Sequence, residues 1–340
     1  MLGRAVKHSV EAKAPSRSRG RRRKRRDFAL LLAGGLGAVA LAANTALPGT
    51  LLRPAHAISS SGRAPARDHA GPAESHPILP ARLSYSTRWV AAQPPRDLGA
   101  AAEAAIVVDL DRKTVLWRKD ATSRRAPASL TKMMTAMVAL DNTPLDTPLT
   151  VPPEATQMEP NVMGVSAGEV VTVRELLYGV FLDSGNDAAE TLARQVMPRD
   201  RFLGAMNAKA AAMQLKDTHF SNPTGLDDAG TYSSAYDLAV IAGQLSLNYP
   251  QLTEIAGTRE QPIPGTAAHK AFDPWNLNKM LWMYQGATGL KTGFTDDAGG
   301  CVAVTATRGG RHLLAIVLHS DVFFTDATKL LDYGFSVTPA

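Results

Sequence analysis

Two stretches of strand-forming sequence bracket a long helical one, and this arrangement limits the possible folds more than any other feature of the chain. Ala105-Ile106-Val107-Val108-Asp109-Leu110 is a short run rich in β-branched residues, Asp111-Arg112-Lys113 is turn sequence, and Thr114-Val115-Leu116-Trp117 is a second strand. The folded part therefore opens on a hairpin. From about 129 to 257 the residues favour helices. Strand patterns return at 300–306 and 313–318 around the turn Arg308-Gly309-Gly310-Arg311, and an amphipathic helix over about 325–333 ends at Gly334, a suitable C-cap. The expected fold is α+β: an antiparallel sheet formed by both ends of the domain, flanked by helices, with an inserted all-helical lobe and a cleft between the lobes.

Composition narrows the function. The chain of 340 residues is 45% hydrophobic and 20% charged, which excludes a wholly disordered or collagen-like protein. Its single cysteine, Cys301, excludes an intramolecular disulfide and multi-cysteine zinc arrangements; beside Val302 in a strand pattern it reads as core. His219, His269, His312 and His319 form no i, i+4 pair of the zinc type. The formal charge of +6 suggests a nucleic-acid partner until its distribution is counted. Residues 1–27 hold eleven Lys and Arg against two acids, a net of +9, which leaves 26 against 29, or −3, on the remainder. The body is slightly acidic, and no nucleic-acid partner is expected.

The run Arg21-Arg22-Arg23-Lys24-Arg25-Arg26 precedes Phe28-Ala29-Leu30-Leu31-Leu32 and an apolar stretch to about residue 47. A basic head before an apolar segment is the layout of an export signal. The general route fits better than the twin-arginine one, whose consensus is matched only loosely. Cleavage, at Ala40-Leu41-Ala42 or Ala55-His56-Ala57, and retention as an N-terminal membrane anchor both stand, because the stretch is close to the length that crosses a bilayer. Residues 1–57 are thus read as basic N-terminus and export signal or anchor, 58–99 as a Pro/Ala/Ser-rich linker, and 100–340 as the folded domain.

Three short motifs carry chemistry. Ser129-Leu130-Thr131-Lys132 opens a helix, which places Ser129 and Lys132 one turn apart on one face. A serine hydroxyl needs a base, and a lysine serves when burial holds its amine neutral. Taken alone, the pair is better read as a helix N-cap serine with a solvated lysine. Ser184-Gly185-Asn186 lies between a helix announced by the capping box Thr172-Val173-Arg174-Glu175 and another helix. It can offer a hydroxyl and an amide to a cleft, or cap the next helix. Lys291-Thr292-Gly293 places a cation and a hydroxyl at a sheet edge, with a glycine that admits close backbone approach. Met133, Met134 and Met137 read as core; Trp275, Trp282 and Tyr284 line a cleft or fill a lobe.

In this order, Ser-x-x-Lys, Ser-x-Asn and Lys-Thr-Gly are the motif set of serine β-lactamases and penicillin-binding proteins. Asn222-Pro223-Thr224-Gly225-Leu226 and Gly289-Leu290-Lys291-Thr292-Gly293-Phe294-Thr295 add to it. From about 100 to 336 the sequence resembles the low-molecular-mass penicillin-binding proteins of the D-alanyl-D-alanine carboxypeptidase family. The resemblance implies that Ser129 is the nucleophile, Lys132 its base and Ser184 a proton relay to the leaving D-alanine. It implies that Asn186 binds the peptide amide, that Lys291 and Thr292 hold the terminal carboxylate beside Gly293, and that the backbone N–H groups of Ser129 and Phe294 form the oxyanion hole. Partners so implied are peptidoglycan stem peptides, with β-lactams as covalent inhibitors and no metal or organic cofactor.

Two departures from the family are expected to matter. Phe323 stands where many members carry an arginine that helps hold the carboxylate region. The chain also ends soon after the last helix, without the β-rich second domain of several relatives, so any anchoring falls to 28–47. A β-lactamase is an alternative, but Gly185 replaces the central aspartate of Ser-Asp-Asn and no deacylating Glu-x-x-x-Asn segment follows. A DD-endopeptidase and a non-catalytic penicillin-sensing module are the others.

Overall fold

The hairpin expected at the start of the domain forms as β1 (Ala104–Asp109) and β2 (Thr114–Lys119), antiparallel, in a computed structural model that describes residues 83–94 and 96–339. The expected export signal or anchor over 1–57 and the expected linker as far as residue 82 lie outside the described residues. Strand β7 (Arg311–Leu318) returns to pair antiparallel with β1, with Ala104 opposite Leu318 and Asp109 opposite Leu313. Strands β6 (Gly299–Arg308) and β5 (Ala287–Thr295) complete the order β2-β1-β7-β6-β5, every pair antiparallel. Both ends of the domain thus build one sheet, and β5 is left with a free edge.

All six residues of β1 are buried, because the sheet is covered on both faces. Side chains alternate along a strand. Ile106 and Val108 join the core beneath the helical lobe, while Ala105 and Val107 pack with Leu330 and Leu331 of the last helix, α9 (Phe323–Ser336). This helix runs past Gly334, the residue expected to end it. A side chain at Gly334 would put its Cβ 2.7 Å from Leu313 Cδ1. The glycine therefore allows close helix-on-sheet packing and is not a cap.

The lobe between β2 and β5 contains α2 (Lys132–Asn142), α3 (Val173–Tyr178), α4 (Asn186–Gln195), α5 (Arg199–Ala212), α6 (Ala235–Asn248), α7 (Pro250–Gly257) and the single turn α8 (Met280–Met283). It is helical apart from a two-stranded ribbon, β3 (Pro148–Thr150) with β4 (Val170–Thr172), too short to register as alternation in sequence. The capping box forms as expected: Glu175 N donates to Thr172 Oγ1 and Thr172 N to Glu175 Oε2. Met133, Met134 and Met137 are fully buried on α2, the central helix of the lobe. One buried ion pair ties α2 to α5, Lys209 Nζ to Asp141 Oδ2 at 2.6 Å, and Tyr249 donates its hydroxyl to Asp141 Oδ1 at 2.8 Å.

Composition predicts linker through residue 99, yet the packed chain already includes residue 83. Leu83 and Tyr85 are buried, and the Tyr85 hydroxyl donates to Ala239 O at 3.1 Å. Val115 N donates to Ser86 O, and Trp117 Nε1 to Arg96 O at 2.7 Å. These are isolated anchors separated by polar residues and a short exposed helix, α1 (Arg88–Ala92), so no periodic pattern reports them. Among the described residues no helix is long and apolar enough to cross a membrane.

Candidate active site

Ser129 lies in a 3₁₀ turn, Ala128–Thr131, that runs directly into α2, of which Lys132 is the first residue. In a 3₁₀ turn residues i and i+3 eclipse each other. Lys132 Nζ accordingly sits 2.8 Å from Ser129 Oγ. The same nitrogen is 2.6 Å from Asn186 Oδ1 and 2.7 Å from the Thr224 carbonyl oxygen. Lys132 is fully buried, and burial holds its pKa well below the lysine range; the charge of Lys291 adds to this and Asp187 opposes it. A neutral amine has two N–H bonds and one lone pair. Two carbonyl oxygens take the N–H bonds, and the lone pair is left for the Ser129 hydroxyl proton, which is the geometry of a base.

The second motif reaches this pair through an irregular helix end. Helix α3 closes in a π-type turn, Gly179–Asp183, and Ser184 follows in the left-handed region at φ 60°, ψ 31°. Such a conformation in a non-glycine residue is a strained one that the surroundings must hold. The Ser184 side chain makes no hydrogen bond among the described residues and lines the cleft. Asn186 opens α4, but the N-cap is Gly185 with no side-chain bond, so Ser184 and Asn186 are not helix caps. Instead Asn186 Nδ2 donates to Glu159 O at 2.7 Å, which orients its Oδ1 towards Lys132.

Strand β5 brings the third motif along its free edge. Lys291 is fully buried and donates to the Thr292 carbonyl at 2.9 Å. Burial lowers its pKa to about 7, with Asp183 pulling the other way. Asp183 is itself raised by burial to about 6, against the N–H of Trp275 that it accepts at 3.1 Å. A side chain at Gly293 would place its Cβ 2.9 Å from both Ser129 N and Ala128 Cβ. Only glycine lets β5 run this close to the nucleophile. Phe294, next along, exposes 67% of its surface.

Several residues that shape the site were given no role from the sequence, although Asn222-Pro223-Thr224-Gly225-Leu226 contributed to the resemblance. Asp187, legible only as an acidic residue in the first turn of a helix, accepts the N–H groups of Met163, Gly164 and Val165 at 2.8, 2.7 and 3.1 Å and so fixes the loop beside the cleft. Asn222 Oδ1 accepts from Thr224 N at 3.1 Å and Gly225 N at 2.7 Å, forming the turn that presents the Thr224 carbonyl to Lys132. Gly225 has φ +79°, and a Cβ there would meet Ala128 O at 1.8 Å. The turn packs on the backbone beside Ser129 for that reason.

Ser129, Ser184, Asn186, Thr292, Gly293 and Phe294 line one cleft of about 390 Å³. Lys132 and Lys291 lie behind its wall. Phe323 also lines it, half-buried, its ring centroid 4.3 Å from that of Phe324, so the position that the resemblance gives to arginine is apolar. Trp275 and Trp282 stack at 5.2 Å on an exposed ledge alongside, whereas Tyr284 is buried and donates to Asp332. Burial pushes the Cys301 thiol up to about 12, as suits a packing residue. Among the described residues no three His, Cys, Asp or Glu side chains gather as a metal site.

A serine paired with a buried lysine, at the free edge of an antiparallel sheet closed by both ends of the domain, defines a serine hydrolase of the penicillin-binding class. The family model described as D-alanyl-D-alanine carboxypeptidase matches residues 89–322, and the chain belongs to that family. It is 36% identical over 246 residues to the D-alanyl-D-alanine carboxypeptidase DacB2 of Mycobacterium tuberculosis, covering 70% of this chain and 84% of that one. It is 35% identical over 249 residues to DacF of Bacillus subtilis, covering 71% of this chain but 64% of the relative. Among solved structures, a D-alanyl-D-alanine carboxypeptidase from Mycobacterium tuberculosis superposes with a TM-score of 0.68 at 34% identity, covering 75% of this chain and 97% of that one. A Streptomyces DD-transpeptidase does so with a TM-score of 0.66 at 31% identity, over 72% of this chain and 100% of that one.

Proposed function

We propose that the protein is a serine D-alanyl-D-alanine carboxypeptidase that removes the terminal D-alanine of peptidoglycan stem peptides. The observation that carries this reading is the Lys132 amine, whose two carbonyl partners leave its lone pair to Ser129 at 2.8 Å. Ser129 Oγ attacks the carbonyl carbon of the penultimate D-alanine as its proton passes to Lys132. The C–N bond then breaks, the proton held by Lys132 is relayed through Ser184 to the departing amine, and D-alanine leaves. Water attacks the resulting ester and returns Ser129 to its hydroxyl form. Backbone N–H groups of Ser129 and Phe294 hold the oxyanion, Asn186 the peptide amide, and Thr292 and Gly293, with the charge of Lys291 behind them, the carboxylate end.

Because the substrate belongs to the cell wall, the enzyme works outside the cytoplasmic membrane, and residues 1–57 carry it there as a signal or anchor. A β-lactam offers a strained amide beside a carboxylate and enters the same site. Its leaving amine stays tethered to the acyl group and blocks water, so the adduct persists. Two measurements test the reading. The protein should release D-alanine from a diacetyl-Lys-D-Ala-D-Ala peptide, and intact mass after mixing with benzylpenicillin should show a long-lived adduct on Ser129. Rapid turnover of the antibiotic without an adduct would instead identify a β-lactamase.

A further inference from the structure

We infer that Lys279 is a substrate-binding residue that pairs with the terminal carboxylate of the peptide. The inference rests on the carboxypeptidase reading above. The motif lysine cannot make this contact in the structure as it stands. Lys291 is fully buried, its ammonium donates to the Thr292 carbonyl, and it is not among the residues lining the cleft, so it acts there through its field. Lys279 is the one charged side chain among those lining the cleft. It is exposed, and its ammonium has no hydrogen bond, ion pair or ring contact among the described residues.

Its backbone is as fixed as its ammonium is free. Lys279 N donates to Leu277 O, and the N–H groups of Trp282 and Met283 both donate to Lys279 O at 3.0 Å. The buried side chains of Asn276 and Asn278 accept from the backbone on either side of it. Leu277 N donates to Leu182 O, and Trp275 N to Asp183, the carboxylate that acts on Lys291. Lys279 thus stands at the Lys291 end of the cleft. Beyond Phe294 and Thr295, the opposite mouth opens into a groove lined by Glu159, Asp227 and Asp296 with no cation. An anionic terminus is repelled there and attracted to Lys279, so the field along the cleft gives a peptide with one negative end a single orientation.

The test is steady-state kinetics on the full chain with Lys279→Gln and Lys279→Arg, using the diacetyl-Lys-D-Ala-D-Ala peptide. Lys279→Gln should raise KM about five- to twentyfold, the range for losing a partly solvated charged hydrogen bond, with kcat within about twofold of wild type. Lys279→Arg should restore most of the affinity. Added salt should raise KM more for wild type than for Lys279→Gln, because only the wild type has the ion pair to screen. Normal D-alanine release by wild type with an unchanged KM in Lys279→Gln overturns the role of Lys279 and leaves the carboxypeptidase reading in place. A loss confined to kcat also overturns it. No release by the wild type overturns both.

Discussion

Lys209 in the interior of the helical lobe and Lys132 and Lys291 in the site are all buried, but only Lys209 meets a carboxylate. Its ammonium lies 2.6 Å from Asp141, which also accepts the Tyr249 hydroxyl. Lys132 and Lys291 are held by neutral oxygens and make no ion pair among the described residues. The lobe therefore neutralises its buried cation with a counter-ion, and the site does not. Desolvation without a counter-ion disfavours the charged amine, and this lowers the pKa of both site lysines. A lysine with a carboxylate partner holds a structure together; a lysine without one becomes available to take a proton.

The largest expected effect breaks the comparison on the side of the site. Lys132→Ala should slow acylation of Ser129 by benzylpenicillin by about 10⁴-fold or more, as when one member of a catalytic unit is removed. Lys132→Arg separates basicity from charge. A guanidinium keeps its proton at every working pH, so this variant should be nearly as slow. Acylation of folded Lys132→Arg at a rate near wild type would mean that Lys132 supplies charge and not a base.

On the side of the lobe, Asp141→Asn leaves the Lys209 ammonium buried beside a neutral group. Removing one partner of a buried pair costs about 3–5 kcal/mol, read as a fall in stability to urea. Activity per folded molecule should stay at the wild-type level, since the pair is not part of the cleft lining. Adding Lys209→Met should recover much of the loss, because no uncompensated charge then remains. A loss below about 1 kcal/mol in the single variant would show that water reaches the pair and that it is not structural.

What could be read in sequence divides along similar physical lines. Ser129 and Lys132 were legible because three residues of separation within one turn fix their proximity whatever the rest of the fold does. Strands and helices were legible where alternation or helical spacing ran long enough, as in β1, β6 and α9. That Ser184, Asn186 and Lys291 converge on Ser129 does not follow from spacing; only the resemblance to a family implied it. Asp187, Asn222 and Thr224 were given no role, the last two although their segment added to the resemblance, because they act on or through backbone N–H and carbonyl groups, which every residue type carries. Gly334 misled for a related reason, since a glycine that ends a helix and one that packs it closely look alike in sequence. Leu83 and Tyr85 are anchors without a period, and the Pro-rich stretch between them and β1 concealed that they pack.

The smallest expected effect is also the most direct test of how the two site lysines differ. Binding an anionic peptide needs Lys132 neutral and Lys291 charged. Activity should therefore rise with pH as Lys132 loses its proton, then fall as Lys291 loses its own, with the alkaline limb of kcat/KM near pH 7 in the free enzyme. The two lysines repel each other, so the limbs belong to the pair jointly. Asp183, raised by burial to about 6, is mostly ionised at the alkaline limb, and its negative charge is what holds the Lys291 pKa up. Asp183→Asn retains an acceptor for the Trp275 N–H but removes that charge. With the charged form of Lys291 less favoured, its proton leaves at lower pH, and the alkaline limb should move towards the acid side while the maximum rate changes little. A pH profile of D-alanine release measures this directly. An alkaline limb that stays in place, or moves upward, would show that Lys291 does not depend on Asp183 for its charge.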